Sequence, residues 1–389
     1  MFNPINLSSK YINEVIKNGF RTSKNKFFNN LLVKKFCEKI GVKYGVTVNS
    51  GTSGLHAALL SLELNKDDEV IIPSITMSAV AYAVLLAGAK PIFADIDNET
   101  LNIDLESIKN KISEKTKAII CVSLFGLPVD YTKLIKIIRK KKKIYLIEDN
   151  AECIFAKHKN KYAGSYGDFS VFSFQSSKTL TCGEGGIVVC KSKNLYIKLK
   201  MYSNLGYYIN KNSYKRNRLN LQNTSFQRHK ILGFNYRLSE IGAAIVLAQL
   251  KNSNKIVNFR KKSGEAFSKL LSNYNFAKTQ KIIKENTHSY WAFPIIFKKK
   301  IYYDYFQKNF AKNGGDYFYG CWLPPYKEKF YKDLKLTRPF CKNAESLQKR
   351  ILQLKTNYYD KKTLNFQVKA LKAVLEKINN KIKYNNNFI

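Results

Sequence analysis

Residues 44–62 read YGVTVNSGTSGLHAALLSL, and three local signals follow one another in that stretch. Tyr44 to Val48 is a short run with branched side chains, which suits a strand. Asn49 to Gly54 is a turn of small residues that opens directly into an apolar helix, Leu55 to Leu64. Strand, tight turn and helix make the first unit of an alternating α/β chain.

Downstream the alternation continues. Strands are predicted at Glu69 to Ile72, Pro91 to Ala94, Ala118 to Val122 and Ile144 to Ile147, with helices at Ser78 to Ala87, Leu105 to Lys111 and Asp130 to Lys140. This order predicts a large, doubly wound, mostly parallel sheet, whose ligands gather beyond the carboxyl ends of the strands. Asn49 to Ser53 and Glu148 to Glu152 fall at such ends. Upstream, Tyr11 to Lys39 has a helical pattern interrupted by a polar loop, Asn18 to Lys26. After Tyr162, short strands at Phe169 to Phe174 and Gly186 to Cys190 flank Lys178, a polar excursion runs from Ser203 to Lys230, and a helix follows at Leu238 to Lys251. Beyond about residue 253 a strand (Ala292 to Phe297) and helices (Leu347 to Leu352, Leu364 to Ile378) predict a smaller α+β domain. The expected division is 1–252 for the large domain and 253–389 for the small one. Roughly the first 30 residues are expected to pack on the small domain.

The chain's 389 residues suffice for two such cores. Its net charge of +39 makes a field that attracts polyanions. Lysine and asparagine are spread from end to end, however, with no basic stripe interleaved with aromatics, so solvated surface explains the charge and no specific nucleic-acid partner is expected. The densest run, Arg139 to Lys143, suits the carbonyl end of a helix. Seven scattered cysteines, without a CxxC pair or a preceding secretory leader, predict reduced thiols in the cytoplasm and neither disulfides nor zinc. The longest apolar stretches, Ala79 to Ala89 and Ile241 to Leu250, fall short of the roughly 20 residues of a membrane span.

Four clusters can carry chemistry. Ser50-Gly51-Thr52-Ser53 offers N–H groups, hydroxyls and the positive end of a helix dipole, an arrangement that holds phosphate and also serves as a plain cap. Ile147-Glu148-Asp149-Asn150-Ala151-Glu152 puts carboxylates at a strand end, where an Asp can pair with a protonated pyridine nitrogen or merely cap the next helix. The third cluster, Phe172-Ser173-Phe174-Gln175-Ser176-Ser177-Lys178 followed by Thr179 to Gly186, is the most informative. Its lysine lies between a buried strand and a glycine-rich turn, where burial favours the neutral amine that forms a Schiff base. Ser173 adds a hydroxyl for phosphate. The fourth, Gly233 to Glu240, enters a helix and contains two capping candidates, Asn235 and Ser239.

In order and spacing these clusters resemble the sugar aminotransferases grouped around DegT, DnrJ and StrS, within the fold type I pyridoxal-phosphate enzymes. The resemblance is carried by SGT at 50–52, the stretch 68–97 (DEVIIPSITM, then AGAKPIFADID), IED at 147–149 and GSYGDFSVFSFQSSKTLTCGEGG at 164–186, with GFNYRLSEIGAA at 233–244 and SLQKRILQL at 346–354. It implies that Lys178 bonds to pyridoxal 5'-phosphate and shuttles the proton, that Asp149 pairs with the pyridine nitrogen, and that Glu152 lies near the ring hydroxyl. Thr52, Ser53 and Ser173 would hold the phosphate, with Asn235 reaching it from a neighbouring subunit of a homodimer. Glutamate would be the amino donor, and a nucleotide-linked keto-sugar the acceptor, for amino-sugar and surface polysaccharide synthesis. Three positions depart from the family's pattern. Met77 stands where an aromatic often covers the ring, Tyr326 where a histidine often lies near the sugar nucleotide, and Arg21 to Lys26 lacks a common glycine. Tyr326 is therefore the expected substrate contact. A dehydratase of the same fold replaces the lysine with histidine, so Lys178 argues against it. The rival from another class is a catalytically silent regulatory or polyanion-binding protein on this fold.

Overall fold

The computed structural model describes residues 3–20, 28–139, 144–207, 222–336 and 338–384. The Arg21 to Lys26 loop, the end of the basic run after Arg139 and the middle of the 203–230 excursion lie outside the described residues.

In chain order the first part contains α1 (Ser9–Lys17), α2 (Phe28–Ile40), β1 (Tyr44–Val48), α3 (Gly51–Leu60), β2 (Glu69–Pro73), α4 (Ala79–Leu86), β3 (Lys90–Ala94), α5 (Leu105–Lys111), β4 (Thr116–Val122), α6 (Tyr131–Arg139) and β5 (Tyr145–Asp149). A two-stranded hairpin, β6 (Lys157–His158) and β7 (Lys161–Tyr162), precedes β8 (Phe169–Ser173), β9 (Gly186–Cys190), α7 (Lys193–Ser203), α8 (Glu240–Lys251) and α9 (Ser253–Leu271). The main sheet has seven strands in the order β1-β9-β8-β5-β4-β2-β3. Neighbours from β8 to β3 pair in parallel, whereas β9 runs antiparallel to both β8 and β1. The carboxyl ends of β1, β8, β5, β4 and β2 therefore share one edge with the amino end of β9.

Both faces of the sheet are covered, as a parallel sheet requires. Along β2, Val70 and Ile72 join one core with Leu55 and Ala57 of α3 and Val80 of α4, while Ile71 joins the opposite core with Ile108 of α5 and Leu134 of α6. The helix that starts at the quoted turn lies hard against the sheet. A Cβ at Gly54 would stand 2.9 Å from Val188 Cγ2 and 3.0 Å from Val171 Cγ1, so only glycine permits that approach.

The amino-terminal segment, expected beside the small domain, packs on α8 instead. Ser8 Oγ donates to the Ile245 carbonyl, and Val15 joins the core that contains Val246 and Leu247. Its apolar stripe is buried against the apolar face of α8.

The second part contains β10 (Ala277–Lys278), β11 (Ala292–Phe297), α10 (Lys300–Asn309), β12 (Tyr319–Gly320), α11 (Lys329–Asp333), α12 (Lys342–Leu347), β13 (Ile351–Lys355) and α13 (Lys361–Tyr384). Its sheet has the order β10-β11-β13-β12 and is antiparallel throughout. Leu347 to Leu352, expected as a helix, is split: a helix ends at Leu347, a 3-10 turn covers Gln348–Arg350, and β13 begins at Ile351. Pairing with β11 decided this, because a short apolar run carries no period of its own and takes the form of its partner.

Candidate active site

The shared edge of the main sheet opens into a cavity of about 690 Å³. The smaller sheet closes its other side with Trp291, Tyr319, Gly320, Cys321, Trp322 and Gln353.

The turn after β1 supplies one wall. Ser50 caps α3: its Oγ accepts the Ser53 N–H at 3.0 Å, and its carbonyl takes the Gly54 N–H. That arrangement leaves the first-turn N–H groups of Gly51 and Thr52 to the cavity that both residues line. Ser173, at the end of β8, stands against them, for a Cβ on Gly51 would meet the Ser173 Cβ at 3.1 Å. Two N–H groups, the Thr52 and Ser173 hydroxyls and a helix dipole so converge on one corner, which suits a phosphate. Ser53 does not join them. Its hydroxyl is spent on Asn49 Oδ1 at 2.6 Å and on the cap, it is buried, and it lies behind the cavity wall.

At the end of β5, Asp149 lines the cavity while its Oδ1 accepts the Ala151 N–H at 3.0 Å. Burial pushes its carboxyl up from 3.8 to about 6, against the lowering effects of that N–H and of Lys178. A buried carboxylate whose charge burial still disfavours fits a site that a protonated ring nitrogen completes. Glu152 is also buried and its carboxyl is raised by desolvation. It accepts the Phe125 N–H at 2.9 Å through Oε2 and faces Lys178 Nζ at 3.3 Å through Oε1. Phe125 holds a left-handed backbone (φ 59°) to deliver that N–H.

Lys178 projects into the same space. Its side chain is 15% exposed, with Nζ 4.1 Å from the centre of the Trp291 ring. Lys178, Asp149, Glu152, Thr52 and Ser173 thus surround one cavity, although they are far apart in sequence. An amine, a buried acid and a corner suited to phosphate are the groups that pyridoxal phosphate needs, so the residues fit the cofactor.

Two expectations fall elsewhere. Tyr326 is fully buried and not a cavity residue: its ring packs edge-on against Phe93 and its hydroxyl donates to Glu345 at 3.4 Å. The two prolines before it start a 3-10 turn that tucks the ring into the core between the sheets. Asn235 lines a different, larger groove along β1, and its backbone pairs with Asn204. Conversely, Trp291 and Trp322, the chain's two tryptophans, both line the cavity and were not picked out by motif. Their rarity in so long a chain was the available signal.

A lysine, a buried aspartate and a helix start suited to phosphate, at the carboxyl edge of a mostly parallel sheet, mark a pyridoxal-phosphate-dependent enzyme of fold type I. More narrowly, the chain belongs to the DegT/DnrJ/EryC1/StrS aminotransferase family, whose model matches residues 5–366. It is 36% identical over 287 residues to a GDP-perosamine synthase of Escherichia coli O157:H7, covering 74% of each chain. In structure it resembles an aminotransferase from Psychrobacter cryohalolentis, with a TM-score of 0.88 at 24% identity over 97% of this chain and 98% of that one. It also resembles a GDP-4-keto-6-deoxymannose-3-dehydratase, ColD, in a mutant form with bound GDP-perosamine, with a TM-score of 0.80 at 26% identity over 95% and 97% of the two chains. The chain is a sugar aminotransferase, and the silent-binder reading is not favoured.

Proposed function

We propose that this enzyme transfers an amino group, taken from glutamate, to a keto-sugar carried on guanosine diphosphate. The observation that carries the reading is Lys178 facing Asp149 and Glu152 across a cavity whose corner can hold phosphate. Similarity to the GDP-perosamine synthase supports guanosine as the nucleotide.

Pyridoxal phosphate, when bound, supplies a carbonyl that exchanges amino groups and a ring that takes up the electron pair of a departing proton. The protein's part is positional and electrostatic. Thr52, Ser173 and the N–H groups of Gly51 and Thr52 hold the phosphate. Asp149 keeps the ring nitrogen protonated through a charged hydrogen bond. Glu152 lies beside the ring hydroxyl, and Lys178 carries the proton at Nζ between donor and acceptor carbons. The small sheet covers the site and limits water.

Asn235 is assigned to the phosphate of a neighbouring copy in a homodimer. Its position outside its own cavity supports this, as do the exposed Leu86, Leu232 and Phe234. The domain boundary is placed at 252/253, where Asn252 ends α8 and starts α9. The enzyme is assigned to the cytoplasm, in keeping with its seven free cysteines.

The test is the visible spectrum of the cofactor-loaded protein. Glutamate should convert the yellow band to the pyridoxamine form, and GDP-4-keto-6-deoxymannose should restore it. A pyridoxamine form that no GDP-linked keto-sugar reoxidises would sink the substrate assignment.

A further inference from the structure

Transamination requires Lys178 to leave the cofactor in the first half-reaction and to return to it at the end of the second, so between the two the free amine needs a place to wait close by. The structure shows where the free side chain rests. Lys178 Nζ lies 4.1 Å from the centre of the Trp291 ring and 3.3 Å from Glu152 Oε1, so a π-face and a carboxylate share one amine.

Trp291 is unusually well fixed for a residue at a cavity wall. Its indole N–H donates to the Ser177 carbonyl at 2.9 Å, which ties it to the residue just before the lysine. Its own carbonyl accepts from Arg260 Nη1 at 2.8 Å and from Thr356 Oγ1 at 3.1 Å. Arg260 is 3% exposed, and a guanidinium so far from water is costly unless its geometry is needed. Here the guanidinium serves the backbone of the residue that covers Lys178, together with Thr356 Oγ1 and Tyr359. The ring is braced as well: Trp291 and Trp322 lie 12° from parallel at 6.3 Å, and Trp322 lies 11° from parallel to Phe125 at 5.6 Å. Phe125 in turn donates its N–H to Glu152. One connected set of contacts therefore sets both groups that receive the amine.

We infer that Trp291 is a positioning residue that docks the free amine of Lys178, with Glu152 as its counter-charge, and so keeps the amine within reach of the cofactor. The inference rests on Lys178 being the cofactor-bonding residue. That premise is tested separately, by borohydride reduction of the loaded wild type and mapping of the labelled peptide.

The docking itself is read in cofactor-free protein. Lysines are modified with limiting trinitrobenzenesulfonate, and the rate at Lys178 is measured by mass spectrometry against the other lysines of the same molecule. Trp291→Leu should raise the Lys178 rate about fivefold, the factor equivalent to losing a cation–π contact of about 1 kcal/mol, and Trp291→Phe should restore most of the protection. An unchanged Lys178 rate in a folded Trp291→Leu protein overturns the inference. Should the leucine variant not fold, tryptophan emission decides, because both emitters lie at this site. Lys178→Ala should shift the emission of the cofactor-free protein, and an identical spectrum in wild type and Lys178→Ala overturns the inference equally.

Discussion

Replacing Asp149 by Asn should stabilise the protein without cofactor while damaging its capacity to use cofactor. Burial raises the Asp149 carboxyl from 3.8 to about 6, so the folded state binds this proton more tightly than the unfolded chain does. The sign follows: as pH rises from about 4 to about 6 the unfolded chain ionises first, stability falls, and above about 6 the full cost is present. A shift of about two units corresponds to roughly 3 kcal/mol. Asn keeps an oxygen for the Ala151 N–H, so the variant removes the charge with little change of shape. Denaturant unfolding of cofactor-free wild type and Asp149→Asn at pH 8 should differ by up to ~3 kcal/mol in favour of Asn, and the gap should close by about pH 4. Saturating pyridoxal phosphate should reverse the order at pH 8, since only the carboxylate pairs with the ring nitrogen. An Asn variant that is less stable than wild type at pH 8 without cofactor would refute the reasoning.

Three further outcomes test the frame around the site. Glu148 accepts the N–H groups of Gly164, Tyr166 and Gly167 at 2.6–2.8 Å and the Ser170 hydroxyl at 2.8 Å, so Glu148→Gln, which turns an amide donor toward donors, should cost at least ~2 kcal/mol in denaturant unfolding. Gly54→Ala should cost about 1–3 kcal/mol by forcing α3 away from Val188 and Val171, read as a lowered melting temperature. Tyr326→Phe should leave KM for the sugar nucleotide within about twofold, because the ring contacts core and not cavity, whereas Tyr326→Ala should lose roughly 3–5 kcal/mol of stability. A large KM effect in the phenylalanine variant would restore Tyr326 as a substrate contact.

The alternation of strand and helix was legible from the quoted turn outward because a parallel sheet buried on both faces needs short apolar strands separated by helices. Lys178 and Asp149 were legible because each stands where an apolar strand gives way to small or polar residues, a local pattern that sequence displays directly. Ser53 and Tyr326 were misplaced for a common reason. Both sit in the right motif, but which way a side chain faces depends on what packs behind it: a cap for Ser53, and Phe93 and Glu345 for Tyr326.

By itself, then, the sequence determined the α/β class, the strand-end clusters and the lysine proposed to react, since each depends on neighbours along the chain. Only the tertiary structure decided that Leu347 to Leu352 divides between helix and strand, that the amino-terminal segment lies on α8, and that Trp291 reaches the lysine while Trp322 lines the same cavity. Those outcomes depend on contacts between residues far apart in sequence, such as Arg260 with Trp291 or Lys178 with Trp291, and no local periodicity encodes them.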